Sequence, residues 1–254
     1  MNLQTKIIST SWGVFAVDPQ HDVWFAHALS RHDWQASGVE AALQWINADS
    51  VVVDVGAHVG TFTVPFARKA AFVYAIEPTE SSRKLLEENV ERNGVTDKVS
   101  VLGVAASSAE GTFQKAVNLP PAETQYYEST EGIQGFPLDI LVPRVDFLKI
   151  DVEGMELAVL TGARRLIETY QPVIFFEVNK KALDAHRVPR RVLGRYLRSR
   201  GYVFYRVEEG NLKKLFSLSQ SVFMNVLALP RGVTTKATGR VPYLFSQVRR
   251  RLRI

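Results

Sequence analysis

Residues 51–60 read VVVDVGAHVG, and a second apolar run closes on YAIEP at 74–78. An unbroken apolar run fits a strand covered on both faces, because neither face is left for polar side chains. Gly56 and Gly60 then turn the chain, and the second run ends on an acid, Glu77. Strand, glycine turn, helix, strand and terminal acid together describe a nucleotide-like cofactor held at the carboxyl edge of a parallel sheet.

Alternation continues outward from there. SVVVDV (50–55), AFVYAIE (71–77), VSVLGVA (99–105), FLKIDV (147–152) and PVIFFEV (172–178) read as five strands. Helices are predicted over 61–69, 80–93, 155–170 and 189–200. In the second of these, Thr79 stands as N-cap, Leu85, Leu86 and Val90 form the apolar stripe, and Asn93-Gly94 ends it. GTFQKAV (111–117) reads as an extra edge strand, and 118–137 as a loop rich in proline and glycine. YVFYRVE (202–208) and SVFMNVLAL (221–229) form a closing antiparallel pair across a short polar connection. The sum is an α/β fold built on a seven-stranded, mostly parallel sheet with a terminal hairpin. Residues 1–48, which hold all four tryptophans, read as an N-terminal cap, 49–230 as the cofactor-binding domain, and 231–254 as a basic tail.

At 254 residues the chain has room for one such domain with modest additions. It has no cysteine, hence no disulfide, thiolate metal site or thiol nucleophile. No apolar run approaches the roughly 18–20 residues needed to span a bilayer. The first residues lack a signal-peptide pattern, so a cytoplasmic location is expected. The net charge of +5 is local: seven arginines and lysines and no acid lie in 231–254, leaving 24 basic against 26 acidic residues elsewhere. That distribution suggests a local anionic contact of the tail, such as a membrane surface, and gives no clear sign of nucleic acid.

The dinucleotide fingerprint requires glycine at position 58, where the chain has His58, and a phosphate-cradling loop requires Gly-Lys-Ser/Thr, which is missing. The turn therefore suits a cofactor without phosphate, and S-adenosylmethionine fits. Here the chain resembles the FkbM family of S-adenosylmethionine-dependent methyltransferases. The resemblance rests on DVGAHVG, AIEP, Asn89 and Asn93-Gly94, VAAS (104–107), Leu138-Asp139 and above all LKIDVEGMELAVLTGA (148–163), in order over about 38–205. It implies a Rossmann-like class I methyltransferase fold and a sugar, glycan or secondary-metabolite hydroxyl as acceptor. It also implies roles. Asp54 faces the cofactor's ammonium, Gly56 admits the cofactor to the backbone, and Glu77 binds the ribose diol. Ala105 and Ala106 lie beside adenine, and Ala57, His58, Gly60, Pro78 and Asp151 complete the surroundings.

An alcohol nucleophile must lose a proton, so a base or a metal is expected near the acceptor. The fourth and fifth strands end on Asp151, Glu153, Glu177 and Asn179. Residues two apart share a strand face. Asp151, Glu153 and His58 are therefore the candidate catalytic residues, and Asp151, Glu177 and Asn179 a candidate Mg²⁺ set. Lys149 reads as a structural partner of the nearby acids, and Tyr126 and Tyr127 as a possible acceptor lining. The rival readings are a non-catalytic S-adenosylmethionine-binding module and an RNA methyltransferase. The second rival lacks the N/D-P-P-Y/F motif, because IDVEG stands in its place.

Overall fold

The computed structural model describes residues 5–19, 26, 29, 36–115, 126–128, 132–208 and 211–233. The strands are β1 (Lys6–Ser9), β2 (Val14–Val17), β3 (Val51–Val55), β4 (Phe72–Ile76), β5 (Val99–Leu102), β6 (Ala105–Ala106) and β7 (Gly111–Lys115). They continue with β8 (Tyr126–Glu128), β9 (Ile133–Phe136), β10 (Phe147–Ile150), β11 (Val173–Asn179), β12 (Tyr202–Glu208), β13 (Asn211–Leu215) and β14 (Phe223–Pro230). The main sheet runs in the order β13-β12-β14-β11-β10-β3-β4-β5. From β11 to β5 it is parallel, and β14 inserts antiparallel between β11 and β12.

The apolar runs form the centre because both their faces are covered. Val52, Val73, Phe147, Phe175 and Leu227 bury into one core with the N-terminal hairpin and the helices Ala36–Leu43, Thr63–Lys69 and Glu80–Arg92. Val53, Val55, Ile150, Phe176 and Val226 face a second core on the other side. That core is closed by the helices Glu156–Gly162, Arg164–Tyr170, Lys180–Ala185 and Arg190–Ser199. The order reverses beside β3, and at such a switch point an open α/β sheet binds its ligand.

The structure departs from the sequence expectation in four places. The sheet has eight strands, because the polar connection after β12 carries β13, whose Lys213 and Lys214 mark it as a charged edge strand. The third strand ends at Leu102, and Ala105–Ala106 crosses into a four-stranded sheet, β6-β9-β7-β8. In that sheet β7 is internal, and part of the expected loop 118–137 forms β8 and β9. Gly135 looked like a loop residue, yet a Cβ there would stand 2.3 Å from the Phe113 ring, so close packing excludes a side chain. The helix expected over 155–170 breaks at Ala163, next to Gly162, where a Cβ would come 1.9 Å from the Ser107 carbonyl oxygen.

The N-terminal hairpin is stitched to the domain by two asparagines. Asn89 accepts from Ala16 N at 2.6 Å and donates to Ala16 O at 3.0 Å and to Val59 O at 2.9 Å. Asn93 pairs the same way with Val14, at 3.0 and 2.7 Å. Both side chains thus take the place of a neighbouring strand beside β2 and satisfy its edge. Among the described residues no helix is long and apolar enough to cross a membrane. The basic residues beyond 233, and His21, His27 and His32, lie outside the described residues, as do the side chains of Tyr126 and Tyr127.

Candidate active site

After β3 the chain turns through Gly56 (φ +75°), His58 (φ +52°) and Gly60 (φ +91°). Gly56 N and Ala57 N donate to Ile76 O at 2.9 and 3.1 Å, which ties the turn to the end of β4. Glu77, next in the chain, is 6% exposed. Its Oε2 accepts from His58 N at 2.9 Å and its Oε1 from Thr79 N at 2.8 Å. Each oxygen keeps a further lone pair, so the carboxylate is held in place and still able to accept two hydroxyls. Gly60 leads into the helix Thr63–Lys69, and a Cβ there would press on Leu86 Cδ1 at 2.7 Å. Ala57, Ala105 and Ala106 are buried, and Pro78 is half-buried beside Glu77.

The fold itself makes demands on two of the expected cofactor residues. A Cβ on Gly56 would stand 1.8 Å from the Asp151 carbonyl oxygen, so the glycine is required by the close approach of the chain after β10. Asp54 is fully buried and presents no surface to a cofactor ammonium. Its Oδ2 accepts from Thr63 Oγ1 at 2.6 Å, and its Oδ1 lies 3.2 Å from Lys149 Nζ. Lys149 sits opposite Asp54 in the parallel register of β10 and β3. Its ammonium also donates to Gly56 O at 2.8 Å and stands 3.8 Å from Asp151 Oδ2. Burial pulls the Lys149 pKa down, but the Asp54 and Asp151 carboxylates more than reverse this, and the net direction is up. The lysine is therefore a charged strut joining the turn to the fourth strand.

Beyond that strut lie the acids. Asp151 is about a quarter exposed, and Glu153 (φ +48°) and Gly154 (φ +104°) bend the chain sharply after it. Carboxylate oxygens of Asp151, Glu153 and Glu177 lie within 4.8 Å of one another. Glu177 is 7% exposed, and its side chain makes no hydrogen bond among the described residues. Burial, then the negative charges of Asp151, Glu153 and Glu156, push its pKa up to about 10, so it carries a proton at neutral pH. Asn179 does not join this group as an oxygen ligand. Its Oδ1 caps the helix Lys180–Ala185 by accepting from Lys181 N and Ala182 N, and its Nδ2 points toward Glu153 Oε2 at 3.5 Å. The candidate metal set is thus Asp151, Glu153 and Glu177.

Two residues of the site were missed in the sequence. Glu156 is 2% exposed, and its Oε1 accepts from Gly154 N at 3.0 Å. Burial is the main cause that raises its pKa to about 7. Its position three residues after Glu153 was the available signal. Thr63 gave none, since its bond to Asp54 depends on how the helix seats on β3.

The sequence matches the model of the methyltransferase FkbM domain over residues 54–204. It is 30% identical over 169 residues to the hexuronic acid methyltransferase AglP of Haloferax volcanii, a match covering 63% of this chain and 68% of that protein. The crystal structure of a methyltransferase FkbM from Methylobacillus flagellatus KT superposes with a TM-score of 0.50 at 20% identity, over 72% of this chain and 44% of that one. The M. jannaschii tRNA m1G37 methyltransferase gives 0.53 at 14% identity, over 91% of this chain and 55% of that one. The chain thus spans less than two thirds of either crystallised protein, and at these identities the likeness is one of fold: that of the class I S-adenosylmethionine-dependent methyltransferases. With the domain model covering more than half of the sequence, the chain belongs to the FkbM methyltransferase family.

Proposed function

We propose that the protein transfers a methyl group from S-adenosylmethionine to a hydroxyl of a sugar, glycan or secondary metabolite. The observation that carries this reading is the juxtaposition of a preset Glu77 carboxylate at the glycine turn with the Asp151–Glu153–Glu177 cluster at the ends of the next strands. When bound, the cofactor supplies an electrophilic methyl on a sulfonium centre. Glu77 offers its free lone pairs to the ribose diol, and the backbone of Gly56, Ala57, His58 and Gly60, with Pro78, Ala105 and Ala106, shapes the rest of the pocket. Asp151 accepts the proton of the acceptor hydroxyl, Glu153 shares the cluster's hydrogen bonding, and protonated Glu177 donates a hydrogen bond to the acceptor oxygen. His58, half-buried in the turn, orients the cofactor side. The sugar class draws on the relative named for hexuronic acid methylation.

Incubation with labelled S-adenosylmethionine and a panel of uronic acids, neutral sugars and phenols tests the proposal. Label transferred to a hydroxyl supports it. Saturable cofactor binding without transfer to any acceptor would favour a non-catalytic module, and transfer to RNA would favour the nucleic-acid reading. The close carboxylate oxygens, with Glu177 buried and unbonded among the described residues, also fit a divalent cation held by Asp151, Glu153 and Glu177. A bound Mg²⁺ would supply Lewis-acid polarisation of the hydroxyl. Titration of the protein with Mn²⁺, followed by its electron paramagnetic resonance, decides this: saturable binding lost in Glu177→Gln supports the cation, and no binding removes it.

A further inference from the structure

The helix Arg190–Ser199 carries no acid and turns Arg191, Arg195 and Arg198 outward at i, i+4 and i+7, so the three share one face. Its apolar side is already docked, with Leu193 and Leu197 fully buried. Among the described residues Arg191 and Arg195 form no ion pair. The segment 216–223 runs antiparallel along this helix. Arg198 donates to Phe216 O, a Cβ on Gly194 would touch Leu218 at 3.5 Å, and Arg190 donates to Ser221 O. That segment holds three of the five large apolar side chains exposed among the described residues: Phe216 at 74%, Val222 at 66% and Phe223 at 54%. Exposed Lys213 and Lys214 extend the positive charge on β13, with Lys214 Nζ 6.0 Å from the Phe216 ring centre.

We propose that this face, the arginine row with Phe216, Val222 and Phe223 beside it, docks on an anionic lipid bilayer. Charge complementarity selects the occupant. The chain's own residues 231–254 contain only basic charges and are repelled by the same face. Duplex phosphates would pair with the arginines but leave Val222 and two phenylalanines in water, and a single strand, whose bases could stack on the rings, would still leave aliphatic Val222 unmatched. An anionic interface satisfies both, with headgroups against the guanidinium groups and the apolar side chains entering the acyl boundary. The placement has a consequence for the site: Phe223 is the register partner of Asn179, which stands beside Glu153. Docking here would set the mouth of the carboxylate cluster at headgroup level, within reach of an acceptor carried on a lipid.

The test is co-sedimentation of the full chain with phosphatidylcholine vesicles containing or lacking phosphatidylglycerol. The variants are Arg191→Ala/Arg195→Ala, Phe216→Ser and Phe216→Trp. All three positions are exposed, so folding is expected to be intact, and circular dichroism melts check it. The basic tail is constant throughout, so differences report on the face alone. Each basic residue near an anionic surface strengthens partitioning about fivefold, so the double variant should lose on the order of 25-fold. Phe216→Ser should weaken binding further, and the tryptophan of Phe216→Trp should shift to shorter wavelength on anionic vesicles only. Unchanged partitioning of the face variants, no binding of the wild type to anionic vesicles, or competition by RNA with no tryptophan shift would each overturn the proposal. The methyltransferase reading would stand in all three cases.

Discussion

Glu156→Gln isolates one buried carboxyl whose charge the fold opposes. The wild-type side chain begins the helix Glu156–Gly162. Its Oε1 accepts from Gly154 N, while its Oε2 is buried without a hydrogen-bond partner among the described residues. Burial, with a smaller push from Asp151, raises its pKa from 4.5 to about 7. At about 1.36 kcal/mol per pH unit, this change of about 2.5 corresponds to roughly 3 kcal/mol. The folded state holds the proton more tightly than the unfolded chain. Stability is therefore lost as pH rises from about 4.5 to about 7, and the full deficit persists above that. Glutamine keeps the acceptor for Gly154 and removes the charge. The variant should be nearly as stable as wild type at about pH 5 and more stable by up to about 3 kcal/mol at about pH 8. For a chain of this size that is a difference of order 5–10 °C in Tm. Thermal and urea melts of both proteins at the two pH values measure it. An orphaned amide N–H in the variant would act equally at both pH values, so the diagnostic is the change in the difference between them. A difference that does not vary with pH, or a variant that loses ground as pH rises, would refute the argument.

Three further perturbations address the site. Glu77→Ala removes the acceptor of two backbone amides and, on the proposed reading, of two ribose hydroxyls. At about 1.5–3 kcal/mol for a charged hydrogen bond, the cofactor Kd from calorimetric titration should rise at least tenfold, and an unchanged Kd would remove the ribose assignment. Asp151→Asn should lower kcat by about 10²–10⁴ while the cofactor Kd stays within a few-fold; full turnover would eliminate Asp151 as the base. Gly56→Ala drives a Cβ to 1.8 Å from the Asp151 carbonyl oxygen, whereas Gly94→Ala, at φ +65°, meets nothing within 4 Å. The first should lose more than about 4 kcal/mol in urea denaturation and the second about 1–2 kcal/mol, and equal losses would show that the turn yields to the clash.

The parallel strands were legible because each is covered on both faces and so reads as an apolar run, from VVVDV to VIFFEV. The second sheet was not, because its Gly135 is imposed by the Phe113 ring, and nor was the main sheet's edge strand β13, which offers lysines to solvent. The same division holds at the site. Glu77 and Asp151 stand at strand ends that the apolar pattern locates. Asp54 looked available for a cofactor ammonium because its burial depends on Lys149, 95 positions later in the sequence and adjacent only in the β3–β10 register. Asn179 looked like a metal ligand because the same carboxamide that can bind a cation also caps a helix. The charge balance follows from these tertiary facts. With Lys149 tied first to Asp54, four acids, Asp151, Glu153, Glu156 and Glu177, crowd one strand edge, and only Asp151 has that ammonium within 4 Å among the described residues. Such crowding favours bound protons, and Glu177, the most deeply enclosed of the three whose oxygens converge, holds one. A protonated carboxyl able to donate a hydrogen bond is thereby set next to the Asp151 side chain. The residual negative charge also favours a cationic ligand over an anionic one, and S-adenosylmethionine, whose methyl would arrive there on the proposed reading, is cationic at its sulfonium.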